Sequence, residues 1–274
     1  MPNALYPPLK PRSFGELLDA VLQIFRLSLL KCMPYATLAI LGAQLSTFYY
    51  LSRGRWPALD SNDPVGVALS GVGTLIFVML SMALLLRQST IAAGRPVTGS
   101  ADLLDTLKRA PAIATIALLA IAAIALLAGA AISICMLPAL ALATPFRIAG
   151  LAVMLAPAFY VLIALWFALP ALVLARKGVL ASLAYSFRLV RGNWWRAAGI
   201  YVAGIAMVFT LWMLVASIVA VALSDNGADD VAVTRAITSA ALLAVLAVGL
   251  TFFSALTLAL FGDLQVRRIT SRAE

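Results

Sequence analysis

The most concentrated reactive chemistry in this 274-residue sequence lies between positions 188 and 196, where Arg188, Arg191 and Arg196 alternate with Asn193, Trp194 and Trp195. Guanidinium groups so placed suit a phosphate, because each planar fork donates to two oxygens at once. Paired tryptophans beside them suit a boundary that is apolar on one side and wet on the other. The pattern points to an anionic lipid headgroup, where each basic residue near the surface contributes about 1 kcal/mol. A milder group comprises Gln44, Thr47 and Thr74, which fall inside long apolar stretches. A glutamine is costly in hydrocarbon unless it finds a partner or lines a polar cavity, so these three are the candidates for an intramembrane cavity.

Several chemistries are absent. The sequence has no histidine, which removes the commonest general base and metal ligand. Its two cysteines, Cys32 and Cys135, fall at opposite ends of apolar stretches and are too few for a cysteine zinc site. No glycine-rich phosphate loop occurs, and the acidic residues lie outside the apolar stretches. No catalytic residue, metal or cofactor is expected.

Composition sets the environment. Hydrophobic residues make up 64% of the chain and charged residues 11%, with a mean hydropathy of +1.03. A soluble domain carries about 25% charged residues, so this chain cannot cover itself with polar groups and needs lipid as its solvent. The net charge of +9 then reads as orientation rather than as a nucleic-acid footprint.

Six stretches reach the roughly 20 apolar residues that a spanning helix needs: 34–51, 65–86, 111–135, 148–175, 197–223 and 236–261. With the N-terminus inside, 16 of the 20 Lys and Arg fall on the inner side, which places both termini in the cytoplasm. Residues 1–12 and 263–274 become cytoplasmic tails, and no cleaved leader is expected. A short half-helix is expected at 136–146.

Amphipathic segments precede the spans. Ser13 and Glu16 form a capping-box pattern, followed by Asp19, Gln23 and Arg26 opposite Leu17, Val21 and Ile24. Asp102, Asp105 and Arg109 make a second stripe, with Leu103, Leu104 and Leu107 turned away. In the third segment Leu183, Phe187 and Val190 share a face, and Gly192 ends the helix. Such helices lie in the headgroup plane. The fold class is therefore all-α, a single polytopic membrane domain of six spans in three tandem units, 13–86, 100–175 and 179–261.

The stretch from Ala168-Leu169-Pro170-Ala171 through Gly178-Val179-Leu180-Ala181-Ser182-Leu183 to Ser186-Phe187-Arg188-Leu189-Val190-Arg191-Gly192-Asn193-Trp194-Trp195-Arg196 resembles one family. It is similar to bacterial inner-membrane proteins of the YciC type and to the membrane domain found with glycerophosphodiester phosphodiesterases. Arg12-Ser13-Phe14-Gly15-Glu16-Leu17-Leu18 fits the same pattern. The resemblance implies a bacterial inner membrane, a six-span helical fold and a role near lipid metabolism. The soluble catalytic barrel does not carry over, since this chain lacks the histidines it needs. The expected function is a non-enzymatic, lipid-interacting membrane module or accessory subunit, with membrane lipid as partner and no nucleic acid. A membrane-protein partner or a second copy of the chain is a further expectation. The rival reading is a transporter or flippase-like carrier of an amphiphilic solute.

Overall fold

The computed structural model describes residues 5–8, 10–54, 63–96, 101–136, 159–224 and 231–273, and every regular element among them is a helix. In chain order these are α1 (Phe14–Ala43), α2 (Leu45–Ser52), α3 (Pro64–Ala92), α4 (Ala101–Lys108) and α5 (Ala110–Met136). They continue as α6 (Phe159–Val173, interrupted at Phe167), α7 (Val179–Val190), α8 (Trp194–Ser224) and α9 (Val231–Ala273). Four segments are long and apolar enough to cross a bilayer: Phe14–Ala43, Pro64–Ala92, Trp194–Val221 and Thr238–Thr270. Counting the bent pair α4 and α5 as one gives a fifth. Of the expected span 148–175, only 159–175 is described, mostly as α6. The expected half-helix at 136–146 lies, apart from its first residue, outside the described residues.

The first amphipathic segment is not a separate surface helix. Its capping box forms as expected, with Ser13 N–H donating to Glu16 Oε2 at 2.7 Å and Glu16 N–H to Ser13 Oγ at 3.3 Å. The helix then runs on through Pro34 to Ala43. Proline costs one backbone bond and a clash with the preceding turn. Here the residues on either side, Cys32, Tyr35, Ala36 and Ile40, are packed into the core and hold the helix together. The break falls instead at Gln44, which joins α1 to α2 with φ −90° and ψ 5°.

The chain divides into two compact units, residues 1–108 with 199–274, and residues 109–198. In the first, α1, α3 and α9 share a core of Cys32, Tyr35, Ala36, Ile40, Ala83, Leu84 and Ala247. Antiparallel α1 and α3 meet so closely that a Cβ on Gly73 would lie 2.5 Å from the Gly42 carbonyl oxygen. Gly66 likewise lies against Tyr50, whereas Gly199 faces open space. A fully buried Gln88 on α3 ties the three helices together, donating from Nε2 to Ser28 Oγ at 3.1 Å and to the Thr251 carbonyl at 2.9 Å.

The helix α4 inverts the usual arrangement of a water-facing helix. Its Thr106 is buried and Asp102 and Asp105 are half-buried, whereas Leu104 and Leu107 are 55% and 60% exposed. The two stripes expected for this segment exist, and it is the polar one that faces protein.

The C-terminal residues do not form a loose tail, because α9 continues through Ala273. Asp263, expected outside the last span, is fully buried on this helix. Its Oδ1 accepts from the Arg12 backbone N–H at 2.7 Å, and its Oδ2 from Arg267 Nε at 2.9 Å. Arg267 Nη2 in turn donates to the Arg12 carbonyl at 2.6 Å, and Arg12 Nη2 to the Leu5 carbonyl at 2.9 Å. Burial pulls the Arg12 guanidinium below its usual value, while Asp263 and Glu16 act in the opposite direction. The segment also reaches α3, where the Ala92 carbonyl accepts from Leu5 N–H at 2.9 Å. Pro8 and Tyr6 sit on Gly262, where a Cβ would come 2.8 Å from Pro8 Cδ. Residues 5–8 and 10–12 thus form one clasp with the end of α9.

Asp263→Ala should therefore destabilise the protein by roughly 2 kcal/mol, the scale of hydrogen bonds to a charged group. Trypsin cleavage after Arg12 should accelerate, because the residue's backbone loses its anchors. Equal cleavage rates in variant and parent would show that the carboxylate does not hold the segment.

Candidate functional site

The basic residues singled out in the sequence sit at the junction of α7 and α8. Helix α7 begins after Gly178, which has extended dihedrals and no side-chain cap. Arg188 lies in its last turn, where a cation complements the helix dipole. Gly192 then takes φ +86°, a conformation that costs other residues a steric clash. Asn193 N–H reaches back to the Val190 carbonyl at 3.0 Å, and Ala197 N–H to the Asn193 carbonyl at 3.0 Å, which starts α8. The expected helix end is therefore where the glycine places it.

Helix α7 buries a strip that includes two serines. Ser182, Ser186, Leu189 and Val190 are buried, whereas Leu183 and Phe187 are only half-buried. Two serines bring the helix close to α6, and Ser186 Oγ donates to the Ala164 carbonyl just before the interruption at Phe167. Ser182 Oγ donates to the Val179 carbonyl at 2.7 Å. A serine whose hydroxyl is bonded packs as a small residue, so this strip seats closely while Leu183 and Phe187 stay half-buried. Within the same unit, Arg109 Nη1 donates to the Leu172 carbonyl at 2.9 Å, close to the C-terminal end of α6.

The strip left outside is amphiphilic. Leu180 is 80% exposed, Trp195 82% exposed, and Arg188 and Arg191 are both exposed. Arg188 Nε donates to the Ala184 carbonyl of its own helix at 3.1 Å, which fixes the start of its guanidinium along the helix. Trp194 and Arg196 are half-buried. Trp194 is the centre of an aromatic cluster, with ring centroids 6.1 Å from Phe159, 6.1 Å from Tyr160 and 4.5 Å from Trp195. Lys177 stacks over Tyr185 at 4.4 Å, so the same unit carries a cation–π pair. Basic groups, an exposed indole and an exposed leucine on one short stretch of chain can bind an amphiphile by its anionic end.

The three cavity candidates stand apart from this cluster. Gln44 marks the α1–α2 junction, Thr47 is half-buried on α2, and Thr74 Oγ1 donates to the Ser70 carbonyl of its own helix at 2.8 Å. The more deeply buried amide is Gln88, which sequence reasoning passed over because Arg87 closed the apolar window one residue earlier. Leu84 and Leu85 directly before it, both fully or nearly fully buried, are the signal that the helix goes on. Among the described residues no cluster of His, Cys, Asp or Glu has a metal-binding arrangement, and Cys32 is a buried thiol.

No curated protein and no solved structure matches this chain. A family model does, over the half that contains α6 to α9 and the whole basic segment. Over residues 139–274 the chain belongs to the family described as the membrane domain of glycerophosphoryl diester phosphodiesterase.

Proposed function

We propose that this protein is a non-enzymatic membrane module that holds anionic lipid at the cytoplasmic face of a bacterial inner membrane. The observation that carries the reading is the exposed strip of Leu180, Arg188, Arg191 and Trp195. Water disfavours a leucine and an indole left that open, and hydrocarbon disfavours the arginines, so the strip fits the headgroup layer between the two. The matched family is a membrane domain, which supports a place in the bilayer for this module.

The topology belongs to the same proposal: six spans with both termini inside, in three tandem units. Contacts within the first unit support an even number of crossings. Arg12 meets Asp263, so the start of α1 and the end of α9 share a side. Tyr201 meets Thr257 at 3.0 Å and Gly249 lies against Val208, so α8 runs antiparallel to α9 and begins on that same side. Ala92 at the end of α3 joins them through Leu5. The chain from α3 to α8 must then cross an even number of times. The apolar α5 supplies one crossing, and the region ending in α6 is the candidate for the other. Each of α4 and α7 is a short helix placed before a long one, which fits the tandem reading.

Two measurements test this. Single cysteines at Ser61, Asn226 and Ser271, in a background lacking Cys32 and Cys135, should react with an impermeant outside reagent at the first two positions only. Labelling of the third from outside would remove the model. For lipid, Arg188→Gln with Arg191→Gln should release co-purifying anionic lipid, whereas Lys10→Gln with Lys108→Gln removes the same charge from exposed sites elsewhere and should not. Equal loss in both double variants would reduce the effect to diffuse attraction and end the claim of a site.

A further inference from the structure

The Trp194 side chain is unusual among the groups near the arginines. Its indole Nε1 is enclosed, and no acceptor meets it. A buried donor without an acceptor costs about 1–3 kcal/mol, and native structures supply a partner to nearly all such groups. The surroundings explain how the ring is held but not why its nitrogen is left over. Phe159 packs edge-on at 89°, Tyr160 lies tilted at 37°, and Trp195 stands edge-on at 72°. Phenylalanine would fill the same space without that cost. The neighbouring chain supplies Arg191 three residues before and Arg188 one helical turn earlier.

We propose that Trp194 is the neutral donor of a phosphodiester site, its indole N–H bonding one lipid phosphate oxygen while Arg188 and Arg191 balance the charge. This rests on the lipid-binding reading above and assigns it a specific hydrogen bond. Trp195 is the least confined ring of the cluster and packs against Trp194, so its displacement is the route to the nitrogen that this proposal requires. The ligand is a membrane phospholipid rather than free phosphate, because the exposed Leu180 and Trp195 that flank the arginines need an acyl or glycerol surface to cover them. An indole N–H also discriminates by geometry rather than by charge. It donates along one direction, so it separates a phosphodiester held in place from anionic lipid drawn loosely to the basic surface.

The test uses the purified full chain in a neutral detergent, titrated with short-chain phosphatidylglycerol and, separately, with inorganic phosphate and glycerol phosphate. Occupancy is read by native mass spectrometry. Trp194→Phe keeps an aromatic ring and removes the donor, and should weaken phosphatidylglycerol binding about tenfold, the effect of losing one hydrogen bond to a charged group. Replacing Trp194 with benzothienylalanine keeps the bicyclic shape without the N–H and should match that loss, which settles the matter if Trp194→Phe disturbs folding. Trp195→Phe should bind within about twofold of the parent. Parent-like binding by the benzothienylalanine variant overturns the proposal, even where Arg188→Gln with Arg191→Gln still releases lipid. Loss of neither lipid nor affinity in the arginine variant would instead overturn the lipid reading beneath it. Equal affinity for inorganic phosphate and phosphatidylglycerol would overturn the assignment to lipid.

Discussion

The buried carboxylate of Asp263 fixes the register of the first unit. A charge removed from water must be met by hydrogen bonds, and both oxygens here are met. One donor is the backbone of Arg12, thirteen residues before the Phe25 ring that packs on Phe252 at 5.8 Å. Once Arg12 is pinned, α1 can slide along α9 no further. Phe25 then meets Phe252, Ser28 meets Gln88, and Gln88 meets the Thr251 carbonyl. On the other flank, Tyr201 meets Thr257 and Val208 meets Gly249. The polar contacts act as rungs between otherwise featureless apolar helices, whose association in lipid lacks a hydrophobic drive of its own.

Helix α9 shows what that fixing accomplishes. Its 43 residues extend about 65 Å, roughly twice the hydrocarbon thickness. Val245, Ala247 and Gly249 are buried between Thr238 and Leu250, and the other residues there are partly or fully exposed, as on a helix that faces lipid over most of its surface. From Thr251 to Leu264 all but Phe253 are buried. The first half of α1 covers part of this run, and its outer stripe of Glu16, Asp19, Gln23 and Arg26 is exposed and polar. Farther along, the exposed side of α1 becomes Leu27, Leu30, Leu38 and Leu41. The change from polar to apolar falls near Ser28, at the level of Gln88 and Thr251. The apolar run of α9 therefore serves two solvents in turn, lipid before Thr251 and protein after it.

That division limits what hydropathy discloses. The helical class and the family resemblance were legible, because both rest on long unbroken apolar runs and on a local motif at 168–196. The capping box at Ser13, the glycine stop at Gly192 and the two stripes of α4 were legible for the same reason, being written in neighbouring residues. Asp263 and Gln88 were not. Each follows an apolar run and reads as the end of a span, because a window average cannot separate leaving the bilayer from entering a protein core. The serine contacts that seat α7 were not legible either, because Ser182 and Ser186 read as polar and pack as small residues only once Ser186 bonds Ala164 and Ser182 bonds Val179. Long-range partners decide these cases, and sequence spacing does not carry them.

The short helices α4 and α7 make the remaining physical argument. One belongs to each compact unit, and each turns small or polar groups inward: Thr106 in α4, and in α7 Ser182 and Ser186 beside Leu189 and Val190. Each leaves large apolar side chains outside, Leu104 and Leu107 in one and Leu180 in the other. In water α4 would gain by the opposite rotation, at about 25 cal/mol for each Å² of apolar surface withdrawn. The observed rotation is favourable only where the outside is itself apolar. Both helices also carry exposed cations near their C-terminal ends, Lys108 in α4 and Arg188 in α7. Leucine outward and a cation at the end together define a narrow layer, too polar for the bilayer core and too apolar for bulk water. Among the described residues, the α7 junction alone adds a second exposed arginine and an enclosed indole donor to that common design, and this is why the proposed lipid contact is assigned to it.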